Sequence, residues 1–454
     1  MDVKRWAVIA YLLFASVGLG RAQSGGDSLS LSLGEALDLA EKQSLSLRSA
    51  DLGIAKAKMD RRVSLANFFP TIGLNGKYDY TIKKPKVYFG SEDASSNNPM
   101  AAMMPSDGIE MGQTHNITAA LGASMPLVAP QLWASLELDK VSIETAIEKL
   151  RAGQITLRSE VRKAYMGALL AEESYRVLLA SLENMIQNRD NIAEKYKRGL
   201  VAEYELIRMN VQVQNLQPNL IQAEQQARLA KMKLLVLMNM EPTTHLRLSE
   251  SLGDYEGRID SLALSYSQPQ DLSANPNLRS MDLGLRQLEA GFRAKRMEYY
   301  PTLGLSFNYA YAYASDYFRL SNSRRWTPTS SIGLVLNVPL YSGGSTRYGL
   351  KSMRIQQEVL EVQREELKQQ LQLQSTSQRD ALRNATAQYR ASREAEQGAK
   401  RGLEIATVRY KTGNGTLLEL NDSELALRQS QLNLAQAVYN YMVAVYAIDE
   451  LEGR

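Results

Sequence analysis

Apolar and polar residues alternate strictly over four short stretches of this chain and follow helical spacing almost everywhere else. Over 71–82, Ile72, Leu74, Tyr78, Tyr80 and Ile82 share one side, and Thr71, Asn75, Lys77, Asp79 and Thr81 the other. Over 116–125, Ile117, Ala119, Leu121, Ala123 and Met125 alternate with Asn116, Thr118 and Ser124. Over 302–313, Leu303, Leu305, Phe307, Tyr309, Tyr311 and Tyr313 alternate with Thr302, Ser306 and Asn308. Over 331–338, Ile332, Leu334, Leu336 and Val338 alternate with Ser331, Gly333 and Asn337. A period of two predicts four strands, each with one apolar face. About ten residues per strand, with aromatics near the ends, is the pattern of a membrane β-barrel strand. A soluble sheet with one covered face alternates in the same way. Here the flanking helices are too long to lie across so small a sheet, which favours the membrane.

Residues 131–198 and 345–412 are two runs of helix formers, each about 70 residues and on the order of 100 Å long at 1.5 Å per residue. Within 416–451, Leu418, Leu425, Leu432, Tyr439 and Tyr446 form one heptad row, and Leu420, Leu427, Leu434, Tyr441 and Ile448 a second. The rows lie about 200° apart around the helix. One row suits a two-helix coiled coil; two nearly opposite rows suit a helix wedged between two neighbours in a wall. Leu206, Val213, Leu220, Ala227 and Leu234 repeat the second row earlier in the chain, where Pro218 is expected to bend the helix locally.

Between the helices of the second half stands Tyr410-Lys411-Thr412-Gly413-Asn414-Gly415-Thr416, followed by Glu419 and Asp422. Gly413 and Gly415 can take the positive φ that ends a helix, and Thr416 with Glu419 can open the next as a capping box. This predicts a tight helical hairpin. Tyr196, Lys197, Gly199, Glu205 and Leu206 repeat it 214 positions earlier. Other landmarks repeat too. Leu47-Arg48-Ser49 returns as Leu278-Arg279-Ser280 and Phe68-Phe69-Pro70-Thr71 as Tyr299-Tyr300-Pro301-Thr302, while Met125-Pro126-Leu127 returns as Val338-Pro339-Leu340. The chain is internally duplicated: a first repeat over 23–240, a connecting segment over 241–270 and a second repeat over 271–454. The first repeat carries extra residues in a loop near 83–114. Each half reads helix, strand, loop, strand, long helix, hairpin, long helix, so the class is mainly α with membrane β.

Four strands cannot close a barrel, for which about eight is the minimum. An open edge in lipid leaves backbone groups unpaired. Several chains must therefore share one barrel; two copies would supply eight strands and three would supply twelve.

Residues 1–22 read as a signal peptide, with Lys4 and Arg5, an apolar run over 6–19, and a small-residue cleavage site at Gly20-Arg21-Ala22. The run is short for a membrane span. There is no cysteine, which excludes disulfides, thiolate metal sites and a lipid on an N-terminal cysteine. Losing Lys4, Arg5, Arg21 and Asp2 takes the formal charge from +4 to +2. That is nearly neutral and implies no nucleic-acid partner.

His115 and His245, the two histidines, stand far from any nucleophile motif, so no Ser-His-Asp system assembles. Ser342-Gly343-Gly344-Ser345 lacks the lysine of a phosphate loop. An enzyme is not expected, nor a cofactor or a resident metal. Met100, Met103, Met104 and Met111 with His115 offer soft ligands, although a polar loop with incidental methionines is the simpler reading.

Taken together, the duplication, Asn275-Pro276-Asn277-Leu278, the two aromatic-Pro strand starts, Val338-Pro339-Leu340-Tyr341-Ser342-Gly343-Gly344 and the paired Tyr-x-x-Gly hairpins resemble the TolC-like outer-membrane efflux proteins. The resemblance covers the mature chain from about Ser30 to Leu451. It implies a homotrimer whose twelve-stranded β-barrel, set in outer-membrane lipid, continues as an α-helical barrel into the periplasm. It further implies a passive exit duct of a tripartite efflux or type I secretion system, served by an inner-membrane pump and a periplasmic adaptor. The adaptor would meet the hairpin tips: Tyr196, Gly199, Glu205, Tyr410, Gly413 and Gly415. Glu419 and Asp422 match the carboxylates that ring the family's periplasmic gate, although both residue types also suit a helix start. Where tightly closed members carry an Arg that bonds an acid of the other hairpin, this chain has Gly415, so Glu205 lacks that partner. A structural coiled-coil protein or trimeric adhesin would show one stalk and one terminal anchor, which fits the two antiparallel hairpins badly.

Overall fold

The structure is a computed structural model that describes residues 29–88, 108–266, 272–321 and 323–454. The expected signal peptide over 1–22 and the loop methionines Met100, Met103 and Met104 lie outside the described residues. In chain order the elements are β1 (Leu29–Leu31), α1 (Leu33–Gln43), α2 (Leu45–Ala66), β2 (Thr71–Tyr80), β3 (Lys86–Val87), β4 (Ile109–Glu110), β5 (His115–Val128), α3 (Pro130–Lys197), α4 (Glu203–Leu237), β6 (Leu246–Leu248), α5 (Gly253–Ser265), α6 (Pro276–Arg296), β7 (Thr302–Ser315), β8 (Trp326–Asn337), α7 (Ser345–Lys411) and α8 (Leu417–Glu452). No helix of the described residues is long and apolar enough to cross a membrane. The chain divides into two compact units, each drawing on both sequence repeats.

One unit comprises Ser46–Gln154, Asp271–Gln374 and Leu451–Arg454. It holds an antiparallel sheet of order β2-β5-β7-β8. The register lines up the apolar positions of all four strands. Ile72 faces Ala123, which faces Phe307, which faces Ile332. The row Tyr78, Ile117, Tyr313 and Trp326 does the same near the far end. Polar positions pair likewise, as in Thr71, Ser124, Ser306 and Gly333. Opposed residues share a face of a pleated sheet, so one face is apolar from edge to edge. Among the described residues the Ile72 row is left bare, with Ile72 71 % exposed and Ile332 74 %, whereas Tyr313 near the far end is buried. Aromatic side chains cluster near one end, where Tyr311 and Tyr313 lie 5.3 Å from Trp326 and His115 contacts Tyr78, Tyr80 and Phe318. Phe69, Tyr299, Tyr300 and Tyr341 stand exposed at the other end. The extra residues of the first repeat include the two-stranded pair β3-β4.

The strands carry on slightly beyond the alternating stretches. β8 begins at Trp326 rather than Ser331, and Pro328 sits in it opposite Tyr311. β8 is an edge strand, the place in a sheet where a missing N–H is tolerated. The same unit explains the Asn-Pro motif. Asn275 is buried, its Oδ1 accepts from the N–H groups of Asn277 and Leu278, and Pro276 starts α6. Its Nδ2 donates to the Leu451 carbonyl at 2.7 Å. Arg151 adds bonds to the carbonyls of Ala274 and Gly453, both at 3.0 Å. One asparagine thus satisfies orphan groups at the start of one helix and the end of another.

The second unit comprises Met1–Leu45, Ile155–Gln270 and Ser375–Glu450. It holds both helical hairpins and a feature without local signal, the parallel pair β1-β6. Ser32 and Glu35 close a reciprocal capping box at the start of α1. Beneath the small sheet, Tyr165 donates to the Leu31 carbonyl, and Tyr255 donates to Glu250, which also accepts from the Leu33 N–H. Burial raises the Tyr165, Tyr255 and Tyr446 hydroxyls well above the ordinary phenol value, so they stay protonated. α4 runs helical through Pro218.

Candidate functional site

Both hairpins close by the same backbone device. In the first, Leu200 N–H bonds Lys195 C=O at 2.9 Å and Gly199 N–H bonds Tyr196 C=O at 2.8 Å, with Gly199 at φ 70°. In the second, Asn414 N–H bonds Arg409 C=O at 2.8 Å and Gly413 N–H bonds Tyr410 C=O at 3.2 Å, with Gly413 at φ 77°. These paired bonds form the Schellman ending, and they place a glycine at its left-handed position. Asn239 ends α4 in the same way at φ 55°.

Two expectations at the second hairpin need correction. Gly415 does not adopt a positive φ; it is required because a Cβ there would meet Arg409 Cβ at 3.0 Å and the Tyr410 nitrogen at 3.1 Å. The capping box is half formed. Thr416 Oγ1 accepts from the Glu419 N–H at 3.2 Å, but the Glu419 carboxylate turns to Arg409, whose Nη1 lies at 3.6 Å. Arg409 also donates to the Asn414 carbonyl at 3.1 Å. An ion pair this exposed is weak and salt-sensitive.

Below the turns, Ile192, Met209, Ala406, Leu417 and Leu420 form a buried cluster with Val201, Leu206, Leu403 and Tyr410 packed against it. Lys195 places its ammonium over the Tyr410 ring, joining one hairpin to the other. Neither Lys195 nor Arg409 stands out alone in the sequence. The available signal is that a basic residue precedes the hairpin tyrosine in both repeats, as Lys195-Tyr196-Lys197 and Arg409-Tyr410-Lys411. Tyr196, Leu200 and Tyr204 are exposed at the first tip.

Glu419 and Asp422 are both exposed and lie three residues apart on α8. Glu205 is different: its Oε2 is buried without a hydrogen-bond partner among the described residues. Asn421 is buried, with its amide against the Met209 sulfur at 3.5 Å and its Oδ1 without a hydrogen-bond partner among the described residues. Further along, Asn188 donates to Glu424 at 2.7 Å and Arg428 to Ser181 at 3.3 Å. Burial pushes the Glu424 carboxyl up, against the Asn188 bond and the Arg428 charge, and burial pushes the Arg428 guanidinium down.

Among the described residues no three His, Asp or Glu side chains converge on a metal position. His115 Nδ1 is engaged with the Tyr78 hydroxyl at 2.9 Å.

The profile of the outer membrane efflux protein family matches residues 36–240 and 269–454. No curated protein matches the chain. Solved structures do. The outer membrane protein VceC of Vibrio cholerae is 17 % identical with a TM-score of 0.68, over 93 % of this chain and 96 % of that one. The Neisseria gonorrhoeae MtrE outer membrane channel, solved in its open state, is 17 % identical with a TM-score of 0.70, over 93 % and 88 %. The Campylobacter jejuni CmeC outer membrane channel is 17 % identical with a TM-score of 0.68, over 93 % and 85 %. The chain belongs to the outer membrane efflux protein family and is a passive exit channel of the outer membrane.

Proposed function

We propose that three copies of this chain form one twelve-stranded barrel continued by an α-helical barrel, and that this trimer is the exit duct of a tripartite efflux or type I secretion system. The carrying observation is the sheet itself. Its apolar face is continuous and bare along Ile72, Leu74, Ile332 and Leu334, and among the described residues its edges β2 and β8 have no partner. Unpaired edges are excluded in lipid. Because the four strands alternate in direction, β8 of one copy runs antiparallel to β2 of the next, so copies close into an all-antiparallel wall. Leu418 and Leu425 of the first heptad row are exposed in the single chain, which supports packing of α8 against a neighbouring copy.

The hairpin tips, with Tyr196, Gly199, Glu205, Tyr410, Gly413 and Gly415, are the surface for a periplasmic adaptor that joins the duct to an inner-membrane pump. Glu419 and Asp422 ring the periplasmic aperture of the trimer. Arg409 offsets part of the Glu419 charge, which leaves Asp422 as the stronger cation ligand of the two. The test is orientation together with mass. In detergent the protein has three times the mass of one mature chain, and Asn414→Cys, the sole thiol, is labelled only once the outer membrane is permeabilised. A stable monomer, or labelling from outside intact cells, overturns the proposal.

A further inference from the structure

At the end of the sheet from which α7 departs, a cavity of about 340 Å³ opens between the Met297–Tyr299 turn and the connection from β8 to α7. Glu298, Tyr299, Leu340, Tyr341, Arg347 and Tyr348 line it. The apolar positions of β8 lead to it: Leu334 and Leu336 are followed by Val338 and Leu340, all exposed. Leu340 is 92 % exposed and Tyr341 87 %. Apolar groups this bare, continuous with a sheet face turned to lipid, belong at the boundary where acyl chains give way to headgroups. Tyrosine suits that boundary, with a ring for the hydrocarbon side and a hydroxyl for the polar side.

The charges at the cavity do not cancel. Glu298 is already engaged, accepting from Lys295 Nζ at 2.7 Å and from Thr346 Oγ1 at 3.2 Å. Arg347 is exposed and has no carboxylate within ion-pair distance among the described residues. One positive fork is therefore unmatched beside an apolar rim. A guanidinium binds phosphate oxygens two at a time, which an ammonium cannot do.

We propose that this cavity holds the headgroup of an anionic phospholipid, with the phosphate on Arg347 and the first acyl carbons against Leu340 and Tyr341. The site rests on the barrel reading, since it needs the apolar sheet face to lie in a bilayer. Each chain carries one such cavity, so the assembled trimer carries three.

The test is lipid retention by the purified full-length protein, read by native mass spectrometry after incubation with phosphatidylglycerol or phosphatidylcholine vesicles in detergent. The wild-type protein retains phosphatidylglycerol in preference to phosphatidylcholine. Arg347→Gln weakens phosphatidylglycerol retention about tenfold, the scale of a lost charge-assisted bidentate contact. Arg354→Gln, an exposed cation on the same helix, leaves it unchanged, and Tyr341→Ala weakens both lipids. Equal retention of the two lipids by the wild-type protein overturns the site, as does equal phosphatidylglycerol retention by Arg347→Gln or an equal loss in Arg354→Gln. The same spectra report oligomer mass. A fault in assembly therefore registers against the barrel, and the wild-type contrast between the two lipids still decides the site.

Discussion

The ammonium of Lys195, near the end of α3, lies 4.6 Å from the centre of the Tyr410 ring near the end of α7. The same nitrogen reaches the Tyr410 hydroxyl at 3.4 Å. Tyr410 in turn packs against the buried cluster that holds Met209 and Leu420. One side chain of the second hairpin is thus gripped by the first through charge and through packing.

A partly exposed cation–π contact contributes about 0.5–1 kcal/mol. Lys195→Gln should therefore speed amide hydrogen exchange in the turn 410–416 by about two- to fivefold. Tyr410→Ala also loses the packing and should speed it by tenfold or so, in keeping with a lost partly buried aromatic. Tyr410→Phe keeps the ring and should stay within about twofold of wild type. Identical exchange in all four proteins would mean that the contact does not hold the hairpins together.

The glycines make separable predictions. Gly199 and Gly413 hold the same left-handed position, so alanine at either should cost about 1–2 kcal/mol. Gly415 lacks a positive φ, but a Cβ there would press on Arg409 and on the Tyr410 backbone nitrogen at 3.0–3.1 Å. Alanine there must shift backbone, so it should lower the melting temperature more than Gly413→Ala and disturb the Arg409–Glu419 pair. Equal melting temperatures for Gly415→Ala and wild type would refute the close approach.

Much of this architecture is legible in the sequence, and the misses have physical causes. Ile72, Leu74, Phe307 and Ile332 announce their face because a strand with one apolar face repeats apolar residues at every second position. The first residues of β8 do not, because Pro328 and the polar Thr327, Thr329 and Ser330 interrupt the alternation on an edge strand. Gly413 is readable as a helix ending. The role of Gly415 is not, because steric contact with Arg409 depends on how tightly the turn folds back. The β1-β6 pair joins three-residue strands far apart in the chain, so no local pattern marks it. Glu419 fits a capping box in sequence, but once folded Arg409 competes for its carboxylate.

Glu424 gives a pH dependence. Burial raises its folded pKa above the ordinary carboxylate range. Its contribution to stability is complete below that range and is lost as pH rises through the raised value. Glu424→Gln keeps an acceptor for Asn188 and removes the titration. In melting curves the wild-type protein should lose stability relative to the variant as pH climbs through that window, and the variant should be the more stable above it. A difference that stays constant with pH, or that runs the other way, would show that Glu424 is solvated in the assembled protein.

Single-channel recording of the purified protein in a planar bilayer addresses the proposed duct and its gate together. In the proposed trimer, three Asp422 and three Glu419 around one aperture would favour cations, and salt should weaken the preference because an aqueous mouth is screened over about 8 Å at physiological strength. Discrete conductance steps with a cation preference are expected. Glu419→Gln combined with Asp422→Asn should reduce the preference and relieve block by multivalent cations added on the hairpin side, while Glu203→Gln should not. Inserted trimer that gives no steps, in the wild-type protein and in the double variant alike, would contradict a transport duct.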